Sequence, residues 1–578
     1  MKLFVTVTPN LEKLLLNEIK EIFKTNKLTP PTYTETLGGI EITLSDNMTT
    51  EQKDYYLWSV SNCSRLAESV RIRVGSIKSS NFKQLKSGLK SLELQEFLPT
   101  PEKEPQVIVS SSGSTLYHTN AIKERFIEHF NKFKQEIAFD VNAIKLKPLK
   151  KLLKNLKYDL RKLQSDKKNK NNKNNKNNKN NKNKNSNIDN EDDDGDKTLI
   201  IESEEEISNK INIAQKQLDE MMSTQLLVPQ TKFFLRVENN VAQLSLDACI
   251  PSDGDLLYKR TKDKYISEAP IRETLASAII MSIKDDGGGG GGGGSSSGQS
   301  DFDEESYEKE EDLNLDLNKT NIWDPFVGSG TLIQEAVNLL LKPKPSSCTN
   351  YRRSFQFENF KNHSTERYIE YLESINKPIS PLIKNTMLIG SDIDKKAINS
   401  SIFNFSNNGY QHDNIKFFQG DFQSIYSNQI LELGNNNNNG IIKPFTIITN
   451  LPYGTRILNK NKSQKVKEVI INDSDPFSNL DSYSMPDSSF ENDTNFYLND
   501  NLPQDLEKLF KRFGDMLHKS SNSIIRNVFV LNGNSHFQSI STNNGNHSFK
   551  WKKILDFKNG GLSVELLKMR RKKIKQRK

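Results

Sequence analysis

Four short segments in the second half of the chain carry residue types that could do chemistry, each at the expected end of a strand. The first is Asp324-Pro325-Phe326-Val327-Gly328-Ser329-Gly330-Thr331. Its glycines fall where a strand turns into a helix, so the backbone can approach a ligand closely while the helix start offers unpaired N–H groups. The segment has neither the Lys of a phosphate-binding loop nor the full GxGxxG spacing of a dinucleotide fold. By itself it reads as a nucleoside-cofactor turn or as a plain turn. The second, Gly390-Ser391-Asp392-Ile393-Asp394, places two carboxylates just past a strand. Asp392 is the candidate acceptor for ribose hydroxyls, and Asp394 the candidate N-cap of the next helix. In the third, Gln419-Gly420-Asp421-Phe422, Asp421 could accept an adenine amine with Phe422 beside the ring; a Gly-Asp pair is equally an ordinary turn.

The fourth segment, Asn450-Leu451-Pro452-Tyr453-Gly454-Thr455-Arg456, decides among these readings. A planar exocyclic amine needs acceptors for its hydrogens so that its lone pair is aimed at a methyl donor. An Asn side-chain oxygen and the backbone carbonyl of Leu451 can supply two, Pro452 stiffens the turn, and Tyr453 can stack on an extruded base. Alone, the tetrapeptide is a polar loop with a rigid Pro; after three ordered predecessors it reads as the amine site.

The elements that must position these segments alternate. Strands are expected at 321–326, 387–391, 415–419 and 445–449, with helices at 331–341 and 395–408, and an apolar helix runs to 283. Such alternation argues for a parallel, doubly wound α/β sheet. The first 80 residues read strand, helix, strand, helix (56–70), strand, an α+β unit of ferredoxin-like type. Residues 81–250 read as a second unit, with a strand at 106–112, a helix through Phe133 and a hairpin around Glu238-Asn239-Asn240. That unit is interrupted near 160–210 by an Asn/Lys and acidic tract that cannot bury enough apolar surface to fold. The catalytic unit is expected over 255–570, with a glycine-rich and acidic insert at 285–318 and a closing hairpin near 551–567. Beyond it, residues 568–578 carry eight Lys and Arg and read as a basic tail.

Composition narrows the classes. The formal net charge is +8; net-acidic runs lie within the inserts at 189–206 and 301–312, and the body beneath them is basic, suited to a polyanionic partner. Cys63, Cys249 and Cys348 are far apart, which suggests neither a disulfide framework nor a zinc site. No histidine cluster points to a metal, and no Cys stands where it could attack a pyrimidine ring carbon. The start of the chain does not read as a signal peptide, and no stretch is apolar enough for a bilayer. The expected location is cytoplasmic or nuclear, including the nucleolus.

The segments at 324–331, 390–394 and 450–456 resemble those of class I methyltransferases that carry an N-terminal THUMP domain. Ser114-Thr115-Leu116-Tyr117-His118 and the following helix look like the THUMP RNA-binding region, and Glu268-Ala269-Pro270-Ile271-Arg272-Glu273-Thr274 resembles the helix that opens the catalytic half. Within that family the likeness is to the bacterial large-subunit ribosomal RNA guanine-N2 methyltransferases and related transfer RNA guanine-N2 enzymes. The resemblance implies a Rossmann-like domain binding S-adenosyl-L-methionine. Asp324, Phe326, Gly328 and Gly330 would surround its methionine part, Asp392 its ribose, and Asp421 and Phe422 its adenine. Asn450, Leu451, Pro452 and Tyr453 would hold the target amine. Leu451 departs from the Pro the family often has, yet keeps the backbone carbonyl. The implied partner is structured RNA, rRNA or tRNA, methylated at guanine N2 without a metal. Adenine N6, a protein glutamine, or a noncatalytic RNA-binding or ribosome-assembly role are the alternatives.

Overall fold

In the computed structural model the described residues are 1–92, 94, 97, 105–141, 150–162, 164–165, 207–216, 231–249, 257, 264–265, 271–285, 319–341, 355–360, 362–375, 386–408, 410, 413–435, 443–453, 502–559 and 562–572. They form two seven-stranded sheets. The inserts expected at 160–210 and 285–318, the segment 454–501 and the residues from 573 onward fall largely or wholly outside this set.

The first sheet uses β1 (Lys2–Thr6), β2 (Thr32–Thr36), β3 (Gly39–Thr43), β4 (Ser69–Lys78), β5 (Gln106–Ser112), β6 (Lys232–Glu238) and β7 (Val241–Asp247). Their order is β2-β3-β1-β4-β7-β6-β5. The units expected at 1–80 and 81–250 therefore share one sheet. The joint is β4, ten residues long, whose first half pairs with β1 while most of its length pairs with β7. Between β6 and β7, Asn239 and Asn240 both take positive φ, 49° and 62°, the conformation a two-residue hairpin turn requires.

Helices α1 (Glu12–Thr25) and α2 (Thr50–Cys63) cover one end of this sheet. Leu15, Ile19 and Ile22 of α1 recur at helical spacing and meet Leu3, Val5, Ile40 and Ile42 in one core. The helix expected over 56–70 lies earlier. Thr49 and Gln52 form a reciprocal capping box at its start, and the chain turns extended at Ser64, where Glu18 gathers Ser64 Oγ and the Arg65 and Leu66 amides. Helices α3 (Phe82–Leu89) and α4 (Thr119–Val141) close the other end, with Leu85, Phe126 and Phe130 against Phe233 and Leu235.

The second sheet holds β8 (Asn321–Asp324), β9 (Leu388–Asp392), β10 (Ile415–Gln419), β11 (Phe445–Asn450), β12 (Ile525–Asn532), β13 (Phe549–Asn559) and β14 (Leu562–Arg571). The order is β10-β9-β8-β11-β12-β14-β13. The first five strands are parallel, and the β13–β14 hairpin adds antiparallel. Both faces are covered, which explains why β11 and β12 are buried at nearly every position. On one face α5 (Glu273–Asp285), α6 (Thr331–Leu341) and α8 (Lys395–Asn407) pack against Ile322, Leu388 and Ile448. On the other, α9 (Phe422–Ile425), α10 (Gln504–Lys519) and α11 (Phe537–Ser541) pack against Trp323, Ile389 and Ile447. The residues expected to begin a basic tail at 568 are instead in β14, where Lys568 pairs with Phe529 of β12, Arg571 pairs with Phe549 of β13, and both are buried.

The two halves share one hydrophobic core. Between them α7 (Thr365–Ile375) sets Tyr368 and Tyr371 against Trp58 of α2, at 5.1 and 5.7 Å between ring centroids. Arg272 at the start of α5 reaches back to Glu68 at 2.9 Å. Among the described residues no helix is long and apolar enough to cross a membrane.

Candidate active site

In an open parallel sheet a ligand settles at the carboxyl ends of the strands where the order reverses. Here the reversal lies at β8, which has β9 on one side and β11 on the other. Asp324, Asp392 and Asn450 are the last residues of those three strands, and Asp421 follows the end of β10. The topology thus brings four segments spread over more than 120 residues to one edge.

The glycine turn after β8 is shaped by backbone strain that only glycine relieves. Gly328 has φ +53° and Gly330 φ +84°. A Cβ on Gly330 would stand 3.1 Å from both Phe405 Cε2 and Ser401 Oγ, so α8 presses directly on the turn. From that helix Ser401 Oγ donates to Gly328 O at 2.8 Å, and Asn404 Nδ2 donates to Ser329 O at 3.0 Å. Lys264 Nζ bonds Thr331 Oγ1 at 2.9 Å and Glu273 Oε1 at 2.7 Å. Ser401, Asn404, Lys264 and Glu273 went unnamed as site residues in the sequence reading. Nothing in their local spacing shows partners so distant along the chain.

Asp392 joins the turn to β9. Its Oδ2 accepts from Gly328 N at 3.1 Å and its Oδ1 from Asp394 N at 3.0 Å. Burial raises its carboxyl above the ordinary range, opposed by those backbone bonds. Asp394 caps α8 as expected, accepting from Lys396 N at 2.9 Å. Asp324 is fully buried, and burial pushes it up to about 7 against the bonds from Thr449 Oγ1 and Phe326 N. Both bonds fall on Oδ1, at 2.6 and 3.1 Å. The neighbouring charge of Asp392 raises it further. Two carboxylates held close together, both destabilised as anions, suit a ligand that brings positive charge and hydroxyl donors.

Phe326 packs on Phe422 at 5.5 Å and on Phe513 at 6.0 Å. Asp421 caps α9 through Gln423 N at 3.0 Å and pairs with Arg512 at 2.8 Å, both through Oδ1. The same Arg512 lies over the Phe422 ring at 5.2 Å. Arg512 belongs to α10, an element the sequence reading did not name.

Beyond β11, Leu451 is buried and its amide bonds Leu531 O at 3.4 Å. Pro452 and Tyr453 are half-buried. The Tyr453 hydroxyl donates to Asn450 Oδ1, so the tyrosine is tied to the amide it follows. The Tyr453 carbonyl accepts from Asn534 Nδ2 at 3.4 Å. Gly454-Thr455-Arg456 lie outside the described residues. The site so assembled combines paired carboxylates beside a glycine turn with an amide acceptor one strand away.

Comparison with known proteins points to the methyltransferases. The family described as UPF0020, an RMKL-like methyltransferase domain, matches residues 317–475. An uncharacterised protein of Dictyostelium discoideum is 56% identical over 99% of this chain and 100% of its own length. The ribosomal RNA large subunit methyltransferase K/L of Psychromonas ingrahamii is 28% identical over 42% of this chain. That match spans about a quarter of the bacterial protein, 26% of its length. Among solved structures, a methyltransferase complexed with S-adenosylhomocysteine superposes with a TM-score of 0.53 at 16% identity, covering 99% of both chains. It shows a shared class I methyltransferase fold.

Proposed function

Given that the chain belongs to the same family as the Dictyostelium discoideum protein and contains an RMKL-like methyltransferase domain, we propose that it transfers a methyl group from S-adenosyl-L-methionine to the exocyclic N2 amine of guanine in ribosomal or transfer RNA. When bound, the cofactor supplies an electrophilic methyl on a cationic sulfur. Asp392 accepts its ribose hydroxyls, Asp324 and the glycine turn meet its methionine part, and Phe422 packs beside its adenine. Asp421 stays with Arg512 and contributes its remaining oxygen to the base edge.

The observation that carries this reading is the place of Asn450. Its carboxamide ends the strand next to the cofactor edge of the sheet. There Oδ1 and the Leu451 carbonyl would accept the two amine hydrogens and aim the lone pair at the methyl group; as the N–C bond forms the S–C bond breaks, the neutral thioether leaves, and the amine gives up one proton to solvent. Positioning is the main contribution, and effective molarities of oriented reactants are large enough to account for it. No covalent intermediate is required.

RNA as the substrate is supported by the name of the bacterial relative, by the basic body and by the far end of the first sheet. There Tyr117, 67% exposed, packs against His118 with ring centroids 4.1 Å apart and planes tilted by 40°. The surrounding loops are knitted by Asn240, which bonds Thr115 and Ser79. This end is the proposed RNA-docking THUMP surface, and the location we propose is the cytoplasm or the nucleus, including the nucleolus.

The test is Asn450→Ala, incubated with labelled cofactor and cellular RNA, with nucleoside analysis of the product. Cofactor binding should persist and formation of labelled N2-methylguanosine should fall to a slow residual rate. Undiminished transfer removes the amine site, and N6-methyladenosine as the wild-type product redirects the reading to adenine.

A further inference from the structure

Tyr453 does more in this structure than offer a ring to a base. Its hydroxyl donates to Asn450 Oδ1, and its position is set from outside the methyltransferase match, by the turn after β12. Asn532, 4% exposed, bonds the turn in both directions: Asn534 N donates to its Oδ1 and its Nδ2 donates to Asn534 O, both at 3.0 Å. Asn534 Oδ1 accepts from His536 N at 2.9 Å, and Asn534 Nδ2 reaches the Tyr453 carbonyl.

Between these asparagines, Gly533 carries the tyrosine ring. A Cβ there would lie 3.0, 3.1 and 3.2 Å from ring atoms Cγ, Cδ2 and Cδ1. Gly533 is not among the positive-φ residues, so its backbone is one any residue could adopt. What the position requires is the absence of a side chain.

We propose that Tyr453, seated on Gly533, is a positioning residue that acts through Asn450. A carboxamide has nearly isosteric oxygen and nitrogen arms, and only the oxygen accepts. A hydroxyl donating to Oδ1 holds that arm in place, polarises it, and leaves one of its two lone pairs for an N–H of the target amine. The inference rests on the amine-methyltransferase reading and deepens it. A tyrosine that only stacks on the base would act independently of its hydroxyl.

The experiment compares wild type, Tyr453→Phe, Gly533→Ala, Asn450→Ala and the double variants in single-turnover methyl transfer to RNA. Cofactor titration and thermal melting serve as folding controls. Tyr453→Phe keeps the ring and should slow transfer ~10-fold, the loss of one hydrogen bond, with KM for RNA and cofactor affinity near wild type. Adding Tyr453→Phe to Asn450→Ala should cost nothing further, because the hydroxyl has no amide left to hold. Gly533→Ala should slow the wild-type background and have little further effect once the hydroxyl is gone. A Tyr453→Phe rate equal to or above wild type, a loss in KM alone, or multiplicative losses in the double variant overturn the positioning role. Wild type that labels no base amine would instead sink the functional reading on which it rests.

Discussion

Replacing Asp324 by Asn should make the cofactor-free protein more stable at alkaline pH while removing cofactor binding. The carboxyl is fully buried and sits at about 7 rather than 3.8. A raised acid of this kind favours the folded state in its neutral form. Its contribution is complete below 3.8 and is lost as pH rises through about 7. At about 1.4 kcal/mol per pH unit the whole loss is about 4 kcal/mol, of which about 2 kcal/mol falls between about pH 5.5 and pH 8. Asparagine can keep both bonds that Oδ1 accepts, from Thr449 and Phe326, without the buried charge. The stability difference, variant minus wild type, should therefore grow by about 2 kcal/mol over that interval. For a catalytic domain of this size that is a melting-point divergence of roughly 5 °C.

The assay is thermal unfolding of both proteins without cofactor at the two pH values, with calorimetric cofactor titration in parallel. A cationic ligand beside Asp324 favours its charged form. Binding to wild type near pH 6.5 should thus release a proton, seen as a dependence of the binding enthalpy on the ionisation heat of the buffer. A stability difference that stays flat with pH, or a variant weaker than wild type at pH 8, would mean that Asp324 is not a buried acid with a raised pKa. Cofactor binding by the variant with wild-type affinity would remove Asp324 from the site.

Asp392→Ala strips an acceptor from the Gly328 and Asp394 amides; cofactor affinity measured by titration should fall at least ~10-fold. Gly514→Ala places a Cβ 1.9 Å from Ser541 O and 2.6 Å from its carbonyl carbon, backbone that cannot yield cheaply, so α10 and α11 should separate at a loss of about 3 kcal/mol, read by chemical denaturation. Ending the chain after Lys572 should leave the melting curve unchanged, whereas ending it after Leu567 cuts β14 at the register with β12 and should abolish cooperative unfolding of the catalytic half. RNA affinity of the form ending at Lys572, followed against salt beside the full chain, then reports what residues 573–578 contribute to phosphate contacts.

Much of the catalytic half was legible because its information is local. A glycine turn, an acid two residues before a cap, and an Asn followed by Pro and Tyr each declare a strand end by their own chemistry. The alternation of apolar runs with helical periods then declared a doubly wound sheet. The expected strand at 415–419 and helix at 331–341 match β10 and α6 residue for residue. Elements without chemistry at their ends went unread: β2, whose five residues are mostly exposed, α7 with its interface tyrosines, and α10 and β12 beyond the polar stretch that follows the amine segment. A charge count likewise marked residues from 568 as a tail. Strand pairing instead gave Lys568 and Arg571 buried places in β14, since long cationic side chains can lie along apolar surface.

By itself, then, the sequence determined which residues end the strands of the catalytic sheet and the class of chemistry they can do, because backbone conformation and side-chain acceptors act over a few residues. Only the tertiary structure decided what surrounds them. Burial beside Asp392 raised Asp324, Arg512 from α10 claimed one oxygen of Asp421, and Gly533 in the turn after β12 seated Tyr453 against Asn450. Those partners lie tens of residues away and meet because β8 pairs with β9, β11 pairs with β12, and α9 and α10 pack in one core on the same face, a property of the assembled sheet that no single segment encodes.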